Sequence, residues 1–319
     1  MERNFEHASF DALVRQRAES EPDTLVFTFL EGGEREEAKL TYRDLHHRAQ
    51  AIAGWLQQFG QPGDPVVLSY PGGADFICAF LGCAYAGMPA VPTPTPAGHQ
   101  KGRAVPWLEY IITDARPAVM LAPAPVRELL RPHADTKGGD VRIAGTLVHE
   151  LPRDFASWAA AFRPVDNRGD SVLHLQYTSG TTTAPRGTQI THRNVLVNCG
   201  MMQRSWDFRA DSVDMVWVPN HHDDGLVHGL LCPIYNGHHA VVMQPNDLLL
   251  KPAAWLRAIT RYRATHTGGP NFLYNYAAKR VRPEEREGLD LSSLRVAYCG
   301  AEPIRKETLE RYAVVKVVA

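Results

Sequence analysis

Apolar and polar positions follow two rhythms along this chain. Between residues 42 and 59, Leu45, Ala49, Ile52, Ala53, Leu56 and Phe59 recur with the 3.6-residue period of a helix buried on one face. Thr41 and Asp44 have capping-box spacing at its start, and Gly60 follows as a stop signal. Val66 to Tyr70 is a short apolar run of the kind a buried strand makes, and a helix over about 74–86 follows, its run Phe76 to Tyr85 reading as core. The alternation continues with a helix at 104–115, a strand at 118–122 and a helix opened by Pro125. Val172 to Tyr177 predicts a strand, 192–206 a helix capped by Thr191, and Val213–Val218 and Ala240–Met243 two more strands. Pro252 opens a helix to about 262. Asn271–Arg280 reads as a helix, Leu294–Cys299 as a strand and 304–312 as a helix. Strands spaced by helical stretches of 10–15 residues predict an α/β fold with parallel-rich sheets flanked by helices. The segment 92–103, rich in Pro and Gly, is expected to be irregular. The polar segment 163–170 marks a boundary between a first α/β subdomain, 1–165, and a second, 171–319.

Composition narrows the partners. The 319 residues carry 34 Lys+Arg against 35 Asp+Glu, a net charge of −1, so no whole-protein basic field invites nucleic acid. The five cysteines, Cys78, Cys83, Cys199, Cys232 and Cys299, form no CxxC pair and are odd in number, which fits reduced thiols in a cytoplasmic protein. The charged N-terminus has no signal-peptide core, and the longest charge-free stretch, Phe76 to Gln100, is broken by prolines; no transmembrane segment is expected.

The chemistry concentrates in a few segments. Leu175-Gln-Tyr-Thr-Ser-Gly-Thr-Thr-Thr-Ala-Pro-Arg-Gly187 runs from a strand into a loop of small hydroxyl residues and glycines, then a cation. Such a loop offers short donors to phosphate oxygens, with Arg186 adding charge. On composition alone it equally suits a Ser/Thr-rich turn, and it lacks the Gly-Lys-Ser/Thr of a Walker A loop. His221, His222, Asp223 and Asp224 open a rival reading, a metal-dependent hydrolase. Four consecutive residues, however, diverge too much to converge on one ion. Gly300-Ala-Glu-Pro303 follows a strand, and Gly268-Gly-Pro270 alone is a turn signal.

Taken together, these segments resemble the adenylate-forming enzymes, and within them the fatty acyl-AMP ligases. Tyr177-Thr-Ser-Gly-Thr-Thr-Thr-Ala-Pro-Arg-Gly187 is similar to their phosphate loop. Trp217-Val-Pro-Asn-His-His-Asp-Asp-Gly-Leu226 resembles W-L-P-x-x-H-D-M-G-L, and Gly268-Gly-Pro-Asn-Phe-Leu-Tyr274 resembles G-G-P-N-F-A-Y. Leu289-Asp-Leu-Ser-Ser-Leu-Arg-Val-Ala-Tyr-Cys-Gly-Ala-Glu-Pro303 resembles L-D-L-S-S-…-G-A-E-P. With Tyr70-Pro-Gly-Gly and the segment Ala79 to Pro92, the likeness covers about residues 10–312 in family order.

The resemblance implies activation of a long-chain carboxylic acid by ATP, with Mg²⁺, to an acyl-adenylate and pyrophosphate, for transfer to an acyl carrier protein in lipid, polyketide or lipopeptide synthesis. It implies that Thr178, Ser179, Gly180, Thr181, Thr182 and Arg186 hold the phosphates, that Gly300, Ala301, Glu302 and Pro303 place backbone against adenine, and that Gly269, Pro270 and Phe272 wall the acyl pocket. His222 would act near the acyl carboxylate by orientation or electrostatics. Arg186 stands at the usual lysine position, and Thr183 where the family has glycine. The family's Tyr-Gly-…-Glu motif with its Mg²⁺-binding glutamate, the ribose aspartate and the lysine-bearing C-terminal domain have no counterpart here; the chain is expected to be the N-terminal portion, truncated, with low or no activity alone. A non-catalytic acyl- or nucleotide-binding module and a fatty acyl-CoA synthetase are the alternatives. A parallel sheet cut before its last strands is expected to expose an unpaired apolar edge, and Val314 to Val318, with high strand propensity and one charge, is expected to be able to pair with another chain or aggregate.

Overall fold

A computed structural model describes residues 8–96, 101–136, 140–178 and 186–317. The strands are β1 (Leu25–Glu31), β2 (Arg35–Thr41), β3 (Val66–Ser69), β4 (Ala90–Thr93), β5 (Val119–Leu121), β6 (Arg142–Ile143) and β7 (Thr146–His149). They continue with β8 (Val172–Thr178), β9 (Arg186–Thr191), β10 (Val213–Val216), β11 (His239–Met243), β12 (His266–Pro270) and β13 (Val296–Gly300). Two compact units result: residues 1–23 with 41–198, and residues 24–40 with 199–319.

The first unit is built on a seven-stranded sheet in the order β6-β7-β5-β3-β4-β8-β9. Its interior pairs are parallel, and its edge pairs, β6/β7 and β8/β9, are antiparallel. Helix Tyr42–Leu56 begins with the expected capping box: the Asp44 amide donates to Thr41 Oγ1 at 3.2 Å, and the Thr41 amide to Asp44 Oδ2 at 2.9 Å. Leu45, Ala49, Ile52, Ala53 and Leu56 are buried, while Phe59 lies past the helix end against Trp55 and His149. Helix Ala74–Ala86 is apolar all round, and every residue from Phe76 to Ala86 is buried, as its sequence implies for a core helix.

The second unit carries a six-stranded sheet, β13-β12-β10-β11-β1-β2, with parallel pairing at β13/β12, β12/β10, β10/β11 and β11/β1. Helix Pro252–Tyr262 buries Ala253, Ala254, Trp255, Leu256, Ala258 and Ile259, and Trp255 Nε1 donates to Thr267 Oγ1 on β12 at 3.1 Å.

The division of the chain differs from a simple cut at 163–170. β8 and β9 complete the first sheet, so the strand leading into the phosphate loop belongs to the first unit. β1 and β2 join the second sheet because β1 pairs with β11 in parallel, a contact more than 200 residues apart that no local pattern announces. The C-terminus also differs. Helix Lys306–Val317 takes in Val314 to Val317 of the Val-rich run, and Val318 lies outside the described residues. Tyr312 anchors it, packed on Trp255 and Tyr274 with centroids 6.1 and 4.8 Å away, so tertiary contact overrides propensity. β13 is the edge of the described sheet.

Candidate functional site

In the second unit β10, β12 and β13 run parallel, so their C-terminal ends, and the loops that follow them, share one edge of the sheet. The loop after β10 carries Trp217 to Asp223, β12 ends on Gly268-Gly269-Pro270, and β13 ends on Gly300 ahead of Ala301, Glu302 and Pro303. Trp217 Nε1 donates to Gly268 O at 2.8 Å, and its ring meets Phe272 edge-on at 6.1 Å. Only glycine fits this approach: a Cβ on Gly269 would stand 2.7 Å from Trp217 Cζ2, and one on Gly268 would collide with the Tyr298 ring and carbonyl.

Several residues singled out in the sequence meet here. Pro270 pairs with Gly300 across β12/β13. The Phe272 amide donates to Glu302 Oε1 at 2.5 Å, and the Arg305 amide to Asn271 Oδ1 at 3.0 Å, so the Gly-Gly-Pro and Gly-Ala-Glu-Pro segments are tied directly. Ala301 holds φ of +63°, a left-handed conformation that costs a non-glycine residue about 1 kcal/mol. Phe272 remains 40% exposed, leaving an aromatic face open beside this joint. His222 is exposed in the turn that leads into the next helix, where its amide donates to Pro219 O and its carbonyl accepts from the Leu226 amide. Burial and the neighbouring His222 lower the His221 pKa to about 4.

Behind the turn lies an ion network that the sequence reading did not find. A π-helical segment, Asp224–Leu231, brings His228 Nδ1 to 3.1 Å from Asp224 Oδ1. On its other side His228 Nε2 stands 2.8 Å from Oδ2 of Asp214, which is fully buried on β10. Burial opposes a charge on His228, but the two carboxylates outweigh it and push its pKa up to about 10. Tyr298 donates to both Asp224 oxygens, at 3.0 and 3.2 Å. Burial works against ionisation of Asp224 too, yet its bond to His228 prevails and lowers the pKa. The i, i+4 spacing of Asp224 and His228 was a legible half of this signal; Asp214 arrives from another strand. Because Asp224 turns toward His228 and Tyr298, the His221–Asp224 run does not converge. Among the described residues no group of three or more His, Cys, Asp or Glu side chains could hold a metal ion.

In the first unit Thr178 closes β8 and faces Arg186, the first residue of β9. The cation thus opens a second strand, with the helix following only after Thr191. Ser179, Gly180, Thr181, Thr182 and Thr183 lie outside the described residues. Near the loop end of this hairpin Tyr177 Oη donates to Asp114 Oδ2 at 2.6 Å, and Gly187 packs so closely that a Cβ would sit 2.8 Å from Tyr177 Cζ.

Parallel-rich sheets with motif-bearing loops beyond their strand ends define an α/β protein of the adenylate-forming architecture. The chain belongs to the AMP-binding enzyme family, whose model matches residues 14–317. It is 37% identical over 301 residues to the medium-chain-fatty-acid–[acyl-carrier-protein] ligase JamA of Moorena producens, covering 94% of this chain and 50% of that protein. It is 32% identical over 279 residues to the 4-hydroxyphenylalkanoate adenylyltransferase of Mycobacterium tuberculosis, covering 86% and 44%. A fatty acyl-adenylate ligase from L. pneumophila, solved in complex with acyl adenylate and pyrophosphate, superposes with a TM-score of 0.89 at 35% identity over 97% of this chain and 52% of that one. The chain spans about half the length of the curated relatives it matches.

Proposed function

We propose that this chain serves the activation of a fatty acid: the acid's carboxylate attacks the α-phosphorus of ATP, the bond to the β-phosphate bridging oxygen breaks, and acyl-adenylate and pyrophosphate result. The observation that supports this most is the family match across nearly the whole chain, with a medium-chain fatty-acid ligase at 37% identity. The acyl acceptor is then an acyl carrier protein, and the setting cytoplasmic lipid metabolism.

The roles assigned to residues follow from chemistry and position. Thr178, Ser179, Gly180, Thr181 and Thr182 offer hydroxyls and amides to phosphate oxygens, with Arg186 as the cation. Backbone of Gly300, Ala301, Glu302 and Pro303 lies against adenine, and the Phe272–Glu302 bond holds that loop beside the acyl wall of Gly269, Pro270 and Phe272. His222 orients the acid's carboxylate. Catalysis of this transfer is positioning and charge neutralisation. Mg²⁺ would neutralise phosphate charge, but the described residues supply no ligand set for it.

Fatty-acid-dependent exchange of labelled pyrophosphate into ATP tests the reading. Exchange that is weak in the 319-residue chain alone, requires the acid and falls further on Arg186→Ala is the expected outcome. Loss of exchange with acyl-adenylate binding retained would leave a binding module in its place. Acid-independent ATP hydrolysis would contradict the proposal altogether.

A further inference from the structure

Asp224 is a carboxylate set in an aromatic frame beside the residues assigned to the acyl wall. Its oxygens accept from Tyr298, and Tyr298 stacks on Trp206 with centroids 4.8 Å apart and planes 18° from parallel. The same Tyr298 lies against Gly268, whose carbonyl takes the Trp217 indole bond. One ring, that of His228, serves both Asp214 and Asp224, at 2.8 and 3.1 Å. The Asp224 side chain is still 34% exposed. Oδ1 takes both His228 and Tyr298, whereas Oδ2 accepts from Tyr298 alone among the described residues and so keeps room for a further donor.

An unsubstituted alkyl chain laid over this carboxylate would strip its water and return nothing, a penalty that a charged group makes steep. A chain with a hydrogen-bond donor replaces that water. Sites built around such a bond reject the analogue that lacks the donor, because the protein's own polar group is left unpaired. Resting on the acyl-pocket reading above, we propose that Asp224 is a specificity-determining residue and that the acid taken by this chain carries a hydroxyl or amino group that pairs with it. His228 and Asp214 are positioning residues: they hold the carboxylate in place and act only through it.

Calorimetric titration of the 319-residue chain tests this with non-reactive sulfamoyl-adenosine conjugates of decanoic acid and of decanoic acids bearing one hydroxyl or one amino group at successive carbons. At least one substituted conjugate should bind about 10-fold tighter than the decanoyl conjugate, and Asp224→Met should abolish that preference. Asp224→Asn, which keeps the shape and an acceptor, separates the two donors: a hydroxyl preference survives it, and an amino preference collapses. A wild-type chain that binds the decanoyl conjugate as tightly as every substituted one overturns the inference, as does a preference that persists in Asp224→Met. Binding of no conjugate at all overturns the acyl-pocket reading with it, and so tells the two failures apart.

Discussion

Replacing His228 by glutamine removes the one cation between two carboxylates while keeping a side chain of similar reach. Asp214 is fully buried, and His228 Nε2 is 2.8 Å from it, so the variant leaves a buried charge without its counter-ion. Breaking a buried pair in this way costs about 3–5 kcal/mol. At roughly 2–4 °C per kcal/mol for a domain of this order, the melting temperature should fall by about 6–20 °C. The loss carries a pH signature. The folded pKa of His228, about 10, lies above its ordinary value of 6.5. The network's contribution is therefore fully present below about pH 6.5 and is lost as pH rises through about 10. The buried neighbour His238, stacked on Phe208, is held at about 3 by desolvation and stays neutral throughout that window, and burial also lowers the pKa of His266. Urea unfolding of wild type and His228→Gln at pH 6.5, 8.5 and 10.5, followed by tryptophan fluorescence, measures the difference. The gap should be widest at pH 6.5 and shrink steadily to pH 10.5. A gap below about 1 kcal/mol at pH 6.5, or one independent of pH, would refute the charged network.

Three further outcomes follow from the same geometry. Gly269→Ala forces a methyl against the Trp217 ring and should cost about 1–3 kcal/mol in urea unfolding; a change within 0.5 kcal/mol would remove the close-approach argument. Trp217→Phe leaves Gly268 O without its indole donor and should cost about 1 kcal/mol beyond the lost ring area, with weaker binding of a decanoyl conjugate by calorimetry. Ala301→Gly relieves the left-handed backbone at φ +63° and should raise stability by up to about 1 kcal/mol, readable as a higher urea midpoint at unchanged slope.

The sequence was most informative where local pattern and function coincide. Helix Tyr42–Leu56 was readable from its period and its Thr41–Asp44 box, and the core helix Ala74–Ala86 from its unbroken apolar run. The Gly-Gly-Pro and Gly-Ala-Glu-Pro segments were found as motifs, and their linkage through Phe272 and Glu302 appeared only in three dimensions. β12 was invisible as a strand, because His266–Pro270 contains two glycines and a proline, residues that ordinarily end strands. β4 hid for the same reason: Ala90–Thr93 contains Pro92 and opens a Pro-rich segment. β1 and β2 are sheet neighbours joined by a short turn and were locally readable, whereas the pairing of β1 with β11 and the reach of Asp214 on β10 to His228 leave no local trace.

A site for an acyl-adenylate is tested by a crystal structure of the 319-residue chain soaked with decanoyl-sulfamoyl-adenosine. Adenine should lie against the backbone of Gly300–Pro303 and the acyl chain along Gly269, Pro270 and Phe272. A ligand seated elsewhere, or density for none at saturating concentration, would contradict it.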